Sequence, residues 1–261
     1  MADNGPRFQA NLQRGGIGLA EMRRMLEAFA VHGDIDRLRE QALEENLLAK
    51  TSEHSVTAML SAFNRRFVEQ SDLPPSGLVA QAMVSRISDG AKTQVLFPYF
   101  LAGDPLAERC YRDLVLPRAD SPDAALGKVE VRDHLAALGT DHPELAEWSD
   151  YMQLRWSGGF LTLLRRFGLM ERHPSTRLRR LWLLPESFAF FWLWYWEQGG
   201  SYWEAVRRGS WPLLQIDERG MDELLAEGKL RGWWEYQRLA EMVQFEPRFN
   251  GPGGWIQSGL A

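Results

Sequence analysis

Residues 148–185 have the sequence WSDYMQLRWSGGFLTLLRRFGLMERHPSTRLRRLWLLP, and this stretch decides how the chain is interpreted. At 100° per residue, one side of its first half collects large apolar side chains, namely Met152, Trp156, Phe160, Leu163 and Phe167. This pattern predicts an amphipathic helix that ends at Gly168. A short polar loop and an alternating run that Pro185 closes come next, and they predict a β-hairpin near 168–184.

The opposite side of the predicted helix is polar and basic. It collects Tyr151, Arg155, Gly158, Thr162, Arg165 and Arg166. Between residues 151 and 185 the arginines are Arg155, Arg165, Arg166, Arg172, Arg177, Arg179 and Arg180. They stand against one acid, Glu171, a local balance of +6 in a chain whose net charge is −5. This basic island predicts an anionic partner. The alternative is a solvated face whose arginines pair with the protein's own surplus acids.

Length and composition indicate a folded globular protein. The chain has 261 residues, 45% of them apolar and 25% charged, enough for one large domain or two small ones. Its single cysteine, Cys110, excludes an internal disulfide, and the N-terminal residues have no apolar segment typical of a signal peptide. The most apolar stretch, 187–196, has ten uncharged residues, whereas a bilayer span needs about twenty. We therefore expect a cytoplasmic protein with no membrane contact, in which this stretch is a buried helix.

The first 140 residues predict about six short helices and no strand. The predicted helices run over 19–30, from Asp34 to about Ala49, from Thr51 or Ser52 to Phe67, from Pro74-Pro75-Ser76 to Asp89-Gly90, and from Asp104-Pro105 to Leu116, and another starts at Ser121-Pro122. In the third helix, His54 and Arg65 lie opposite the apolar positions. With Lys50 they form a second, weaker candidate surface for an anion.

The composition changes near residue 148, because all eleven tryptophans lie from Trp148 onward. We therefore predict an N-terminal helical domain over 1–147 and a tryptophan-rich region over 148–261. A second hairpin is predicted near 233–247, where WWEYQR and MVQFEP flank a short turn after a helix that Asp217 caps and Gly232 ends. Helix, glycine, strand, turn and strand is the order of a winged-helix unit, and the sequence pattern contains it twice. A true internal duplication and a coincidence of pattern both remain open.

Motifs for catalysis are absent from the sequence. The segment 127–129 lacks the glycine spacing and the following Ser or Thr of a phosphate-binding loop. The five histidines have no cysteine partner at ligand spacing. A metal-dependent nuclease pattern around Asp123, Glu130 and Arg132 ends on an arginine, which cannot act as a base. Ser157 lacks the motif of a nucleophile elbow, and the small residues around it favour close packing or close approach of a ligand. We expect no enzyme activity, no cofactor and no metal site.

Two segments resemble one known family. Residues 45–52 read ENLLAKTS and precede a helix that ends in NRRF at 64–67. Residues 161–169 read LTLLRRFGL, and LRRLWLLPESFAFF follows at 178–191. In this order and spacing the segments resemble the BrxA family, over roughly residues 8–200. BrxA proteins are accessory components of the BREX phage-defence systems of bacteria.

The resemblance implies a mainly helical bundle that is similar in part to the NusB fold. The helix–hairpin order described above predicts, in addition, winged-helix-like units in the C-terminal half. The resemblance also implies binding of double-stranded DNA and no catalytic residues. The resulting hypothesis is a non-enzymatic DNA-binding component of a BREX-type system, with other BREX proteins as further partners. The seven arginines, with Lys50, His54 and Arg65, are its candidate contacts to DNA. The rival hypothesis is an adaptor that assembles other BREX components without touching nucleic acid, since tryptophan and arginine anchor protein interfaces.

Overall fold

The computed structural model describes residues 8–12, 18–240 and 242–260, and this part of the chain is mainly helical. Its α-helices are α1 (Leu19–His32), α2 (Ile35–Leu43), α3 (Glu53–Phe63), α4 (Ser76–Val84), α5 (Asp89–Ala102), α6 (Pro105–Cys110), α7 (Lys128–Leu138), α8 (Pro143–Ala146), α9 (Asp150–Arg166), α10 (Pro185–Gly199), α11 (Tyr202–Arg208), α12 (Glu218–Leu230) and α13 (Gly251–Ser258). π-Helical turns follow α3 at Asn64–Val68 and α6 at Tyr111–Val115, and a 3-10 turn follows at Leu116–Arg118. Two strands, β1 (Trp234–Leu239) and β2 (Met242–Pro247), form an antiparallel sheet.

The helical character of the first 140 residues is confirmed for the part that is described, where no strand occurs before Trp234. Side-chain caps explain two of the helix starts. The Asp34 carboxylate accepts hydrogen bonds from the amides of Asp36 and Arg37, and Asp104 accepts one from Ala107. These caps satisfy amides that have no partner within their helix, so local sequence was enough to predict the starts of α2 and α6.

Three predicted helix bounds were wrong. The second helix ends at Leu43, because Asn46 and Ala49 adopt positive φ angles of 53° and 51°, which no helix continues. α4 ends at Val84, and Asp89-Gly90 begins α5, whose first turn is capped by the Ser88 hydroxyl. Ser121-Pro122 begins a turn and no helix.

The hairpin predicted near 168–184 is also wrong. Within the described residues this segment has only isolated bridges, Met170 with Leu178 and Arg177 with Ala125. The returning segment divides its backbone hydrogen bonds between two neighbours: Arg179 donates to Leu169, whereas Leu178 donates to Ala124. Because neither neighbour receives a continuous series of bonds, no ladder of strand pairs develops.

The second hairpin is confirmed. β1 and β2 pair in register from Trp234 opposite Pro247 to Leu239 opposite Met242. As predicted, Asp217 caps the preceding helix and Gly232, at φ 75°, follows its end. The helix–hairpin order therefore occurs once among the described residues. The winged-helix and NusB-like assignments stay predictions.

Contacts group the described residues into two compact units that interleave along the chain. The first comprises residues within Met1–Met22, Leu48–Glu69 and Tyr99–Leu181, and the second those within Arg23–Leu47, Gln70–Pro98 and Trp182–Ala261. The sequence-based division at residues 147 and 148 concerned two consecutive domains and stays a prediction. The core of the first unit includes Trp156 stacked on Phe160 and the edge of Phe167 against Phe100.

The core of the second unit is built on α10. Phe188 and Trp192 are fully buried on this helix, which confirms that the most apolar stretch of the sequence is a buried helix. Trp192 contacts Trp211 and Phe245 with ring centroids 5.8 and 5.5 Å apart. Among the described residues, none of the helices has the length and apolar content to cross a membrane.

Candidate nucleic-acid interface

Helix α9 is anchored through its apolar side. Ser149 caps it by accepting a hydrogen bond from the Met152 amide at 3.3 Å. The predicted apolar positions Trp156, Phe160, Leu163 and Phe167 are buried, and Met152 is partly buried. On a neighbouring side the backbone of Leu12 packs so closely that a Cβ atom at position 159 would lie 2.9 Å from its carbonyl oxygen. α9 is thus packed against the protein through its apolar side and leaves one side exposed.

The free side carries the residues predicted from the helical pattern. Tyr151, Arg155, Thr162 and Arg166 are all exposed. Arg155 Nη1 donates to the Tyr151 hydroxyl at 3.1 Å, and its guanidinium lies 5.9 Å from the centre of that ring. Eleven residues separate Arg155 from Arg166, which is three helical turns, so both point the same way about 17 Å apart.

Three of the seven arginines bind the protein itself. Arg165 donates to the carbonyl oxygens of Glu171 and Ser175, at 3.3 and 3.1 Å, and so holds the loop that follows α9. Arg177 donates to the Pro122 carbonyl and to the Asp123 carboxylate. Arg180 pairs with Asp120 at 2.5 Å. These three side chains thus make internal contacts, as the alternative interpretation of the basic island predicts.

The other four arginines face solvent. Arg179 keeps 64% of its side chain exposed and has only a long contact of 3.9 Å to Glu171. Arg155, Arg166 and Arg172 are exposed and pair with no carboxylate in the described part of the chain. The fold therefore divides the seven candidate arginines into three that bind the protein itself and four that face solvent.

The second candidate surface, on α3, is more constrained. Lys50 pairs with Glu21 at 2.6 Å, whereas His54 is exposed. Arg65 is partly buried in the π-helical turn after α3. Its assignment as a DNA contact stays a prediction, as do those of Lys50 and His54.

Next to Arg65 lies a buried pair of opposite charges, Arg66 and Asp104. Arg66 is 4% and Asp104 1% exposed, and the Arg66 guanidinium lies 3.9 Å from the centre of the Phe100 ring. Burial raises the pKa of Asp104 to about 6, opposed by the Ala107 amide and by Arg66. Burial likewise lowers the pKa of Arg66 to about 10, opposed by Asp104. The pair belongs to the core of its unit and has no access to a ligand.

Sequence reasoning missed one cation beside α9. Lys128, the first residue of α7, lies against Gly158: a Cβ atom there would be 3.4 Å from Lys128 Cε and 3.6 Å from Nζ. Lys128 is exposed and has no hydrogen-bond or ion-pair partner among residues 8–12, 18–240 and 242–260. The sequence had indicated only that small residues in this helix permit a close approach. Nothing in the sequence indicates that Lys128 is the residue that comes close to this helix.

The arrangement is suited to binding anions. Guanidinium and ammonium groups that have no internal carboxylate partner are free to contact phosphate oxygens. Ser157, considered above as a nucleophile, is fully buried and donates its hydroxyl to the Gln153 carbonyl. In the part of the chain that the structure describes, no three His, Cys, Asp or Glu side chains converge as metal ligands would.

Comparisons with known proteins show the family of this chain and a solved structure of similar fold. A family model described as BrxA matches residues 6–192. The comparison with curated proteins finds no match. A crystal structure of an uncharacterized protein from Magnetospirillum magneticum is similar with a TM-score of 0.57 and 14% identity, over 77% of this chain and 97% of the other. At that identity the similarity concerns the fold alone.

Proposed function

This chain belongs to the BrxA family, and from that premise we propose that it is a non-enzymatic component of a BREX-type phage-defence system that binds duplex DNA. The α9 face, defined as the exposed residues Tyr151, Arg155, Thr162 and Arg166, is its main contact surface. Arg172 and Arg179, on the loop and return segment after α9, extend it.

One observation carries this proposal: Arg155, Arg166 and Arg172 have no carboxylate partner among the described residues, although the chain contains 35 acids and 30 basic residues. An acidic protein has ample means to neutralise exposed arginines, as it does with Arg177 and Arg180. A group of uncompensated positive charges on α9 and the loop after it suits a polyanion that supplies the missing negative charge.

The chemistry of the side chains indicates contacts to the phosphate backbone. Such contacts are independent of base sequence and release counterions, so each adds about 0.9 to the slope of log K against log[salt]. Arg155 and Arg166 stand about 17 Å apart along the helix, and phosphates on one strand advance about 3.4 Å each along the duplex axis. The two arginines therefore reach phosphates that are several nucleotides apart.

A titration with matched variants tests the proposal. The Arg155→Ala/Arg166→Ala protein and the wild type are titrated against a labelled duplex at three salt concentrations. We expect the wild type to bind at low salt, and the double variant to lose up to about 2 from the salt slope. The control, Arg39→Ala/Arg219→Ala, removes the same charge from side chains that are 59% and 88% exposed elsewhere. It should leave the slope unchanged. Absence of wild-type binding at low salt, or equal slopes in all three proteins, would exclude the α9 face.

A second candidate function, the adaptor, is favoured by a different observation. Two of the eleven tryptophans are well exposed, Trp182 at 74% and Trp203 at 51%, and large exposed aromatics anchor protein interfaces. An adaptor would retain BREX proteins during purification without DNA, and Trp182→Ala would release them. It would not bind the labelled duplex at any of the three salt concentrations.

A further inference from the structure

We propose that Lys128 is a phosphate-binding residue of the α9 face and lies between Arg155 and Arg166. This inference rests on the proposed function, because it assigns a new contact to the same site. It adds a residue from a different helix, which neither the sequence analysis nor the family comparison indicates.

The ammonium group of Lys128 lies on the surface of a neighbouring helix, α9. Lys128 Nζ lies 3.6 Å from where a Cβ atom of Gly158 would stand, so its side chain lies on the surface of α9. Gly158 is three residues after Arg155 and eight before Arg166. At 1.5 Å per residue, the amine is about 5 Å from the level of Arg155 and about 12 Å from that of Arg166. Three cations therefore follow one another along a single helix.

The residue of α9 that Lys128 lies against is a glycine. Glycine inside a helix costs about 0.5–1 kcal/mol relative to alanine, and Gly158 lies in the middle of the 17-residue α9. With no side chain at position 158, the Lys128 side chain can lie directly against the helix. A Cβ atom at this position would make only an ordinary van der Waals contact with Lys128 Cε, at 3.4 Å, so side chains longer than that of alanine would compete with Lys128 for this space. Gly158 therefore leaves room for the Lys128 side chain to lie close to the α9 backbone.

The charges around the Lys128 amine are not balanced. Lys128 has no ion-pair partner in the described ranges, and the nearest residues along the free side, Arg155 and Thr162, carry no negative charge. The Thr162 hydroxyl donates to the Gly158 carbonyl and does not contact the amine. Holding an unpaired ammonium beside guanidinium groups costs repulsion, which a bound phosphate converts into attraction.

The test compares two substitutions of lysine that remove the same charge from different parts of the protein. Lys128→Gln and Lys92→Gln each make the chain more negative by one, but Lys92 belongs to the other compact unit. Both proteins and the wild type are titrated with the same labelled duplex between about 50 and 300 mM salt. We expect Lys128→Gln to lower the salt slope by about 0.9 and to weaken binding about tenfold at the lowest salt. Lys92→Gln should match the wild type, and Lys128→Arg should retain the wild-type slope.

Thermal unfolding of each protein controls for damage to the fold, and Lys128→Gln should melt close to the wild type because Lys128 is exposed. Wild-type binding together with equal slopes for Lys128→Gln and Lys92→Gln would overturn the role of Lys128 and leave the proposed function intact. A wild type that does not bind DNA at any salt concentration would overturn both.

Discussion

Arg165 and Arg166 are neighbours in the sequence, but the structure uses them differently. The helical pattern predicts that both contact DNA. In the folded chain Arg165 is partly buried and holds two carbonyl oxygens of the loop after α9, whereas Arg166 projects into solvent. Which arginine is free depends on where the loop returns, and a helical pattern carries no such information.

This difference predicts opposite effects on stability. Arg165→Ala should lower the free energy of unfolding by about 1–3 kcal/mol, because the carbonyls of Glu171 and Ser175 lose their donor. Arg166→Ala should change it by less than about 0.5 kcal/mol, as is usual at exposed positions. Chemical denaturation of both variants measures the two values. Equal stabilities would show that the Arg165 hydrogen bonds contribute nothing to the fold.

The buried carboxyl of Asp104 predicts a dependence of stability on pH. Its pKa is about 6 in the folded state, against an ordinary value of 3.8. Between these values the folded chain binds a proton that the unfolded chain has released, so this group's contribution to stability falls as pH rises from about 4 to 6. The total change is about 2–3 kcal/mol, since one pKa unit corresponds to about 1.4 kcal/mol.

The Asp104→Asn variant isolates this contribution, because asparagine caps a helix equally well but does not titrate. The free energy of unfolding, measured for both proteins from pH 4 to 7, should show the wild type losing stability relative to the variant as pH rises. A difference that stays constant with pH would mean that folding does not raise the pKa of Asp104.

At the scale of elements, the α12–hairpin unit is held by close packing and by ion pairs. The buried Trp234 indole donates to the Leu225 carbonyl at 2.8 Å. Arg238 Nη1 donates to both carboxylate oxygens of Asp222 at 2.9 Å. Gly228 provides the space for the indole, because a Cβ atom there would lie 1.9 Å from Trp234 Cζ2. The hairpin is therefore fixed to its helix from two sides.

Two glycine-to-alanine variants test this packing. Gly228→Ala should lower the free energy of unfolding by at least about 1–3 kcal/mol, since the new methyl group overlaps an indole that its hydrogen bond holds in place. Gly77→Ala, in the exposed first turn of α4 with no atom within 4 Å of the added Cβ, should be neutral or stabilising by up to about 1 kcal/mol. Denaturant titrations of both variants compare them. A Gly228→Ala protein as stable as the wild type would contradict the tight packing of the Trp234 indole against α12.

At the scale of the whole molecule, the C-terminal residues beyond the family match belong to a core. The matched region ends on α10, yet the aromatic side chains of that helix are covered from later in the chain. Phe188 contacts Trp211 and Trp234 with ring centroids 5.3 and 6.4 Å apart, and Trp196 contacts Phe245 at 4.6 Å. The last 60 or so residues therefore contribute aromatic side chains to the core around α10.

A truncation that removes residues 201–261 should therefore expose the aromatic side of α10. We expect the shortened protein to bind a hydrophobic dye and to lose its cooperative thermal transition, because several large aromatic side chains leave the core together. Dye fluorescence and circular dichroism of the truncated and full-length proteins provide the comparison. A sharp transition within a few degrees of the full-length chain would mean that these residues are an independent appendage.

Local sequence alone determined much of the architecture. Apolar positions at helical spacing were enough to predict α9 and the burial of α10, and the capping aspartates located the starts of α2, α6 and α12. The alternating runs around Ala240 predicted the only sheet in the described residues. Each of these features depends on contacts within a few residues or on one apolar face, which periodicity reveals directly. Membership of the BrxA family was likewise visible in two short segments.

Only the tertiary structure decided what the basic residues do. The expected hairpin after Gly168 is absent because Leu178 bonds to Ala124, more than fifty residues earlier. Arg177 and Arg180 meet their acceptors at sequence separations of 55 and 60 residues, and Lys128 reaches α9 from another helix. Whether a charge is neutralised or free depends on which acid or carbonyl the fold brings within about 4 Å, since exposed charges further apart are strongly screened by water. Sequence patterns report a side chain's direction on its own helix, whereas its partner is set by the packing of distant segments.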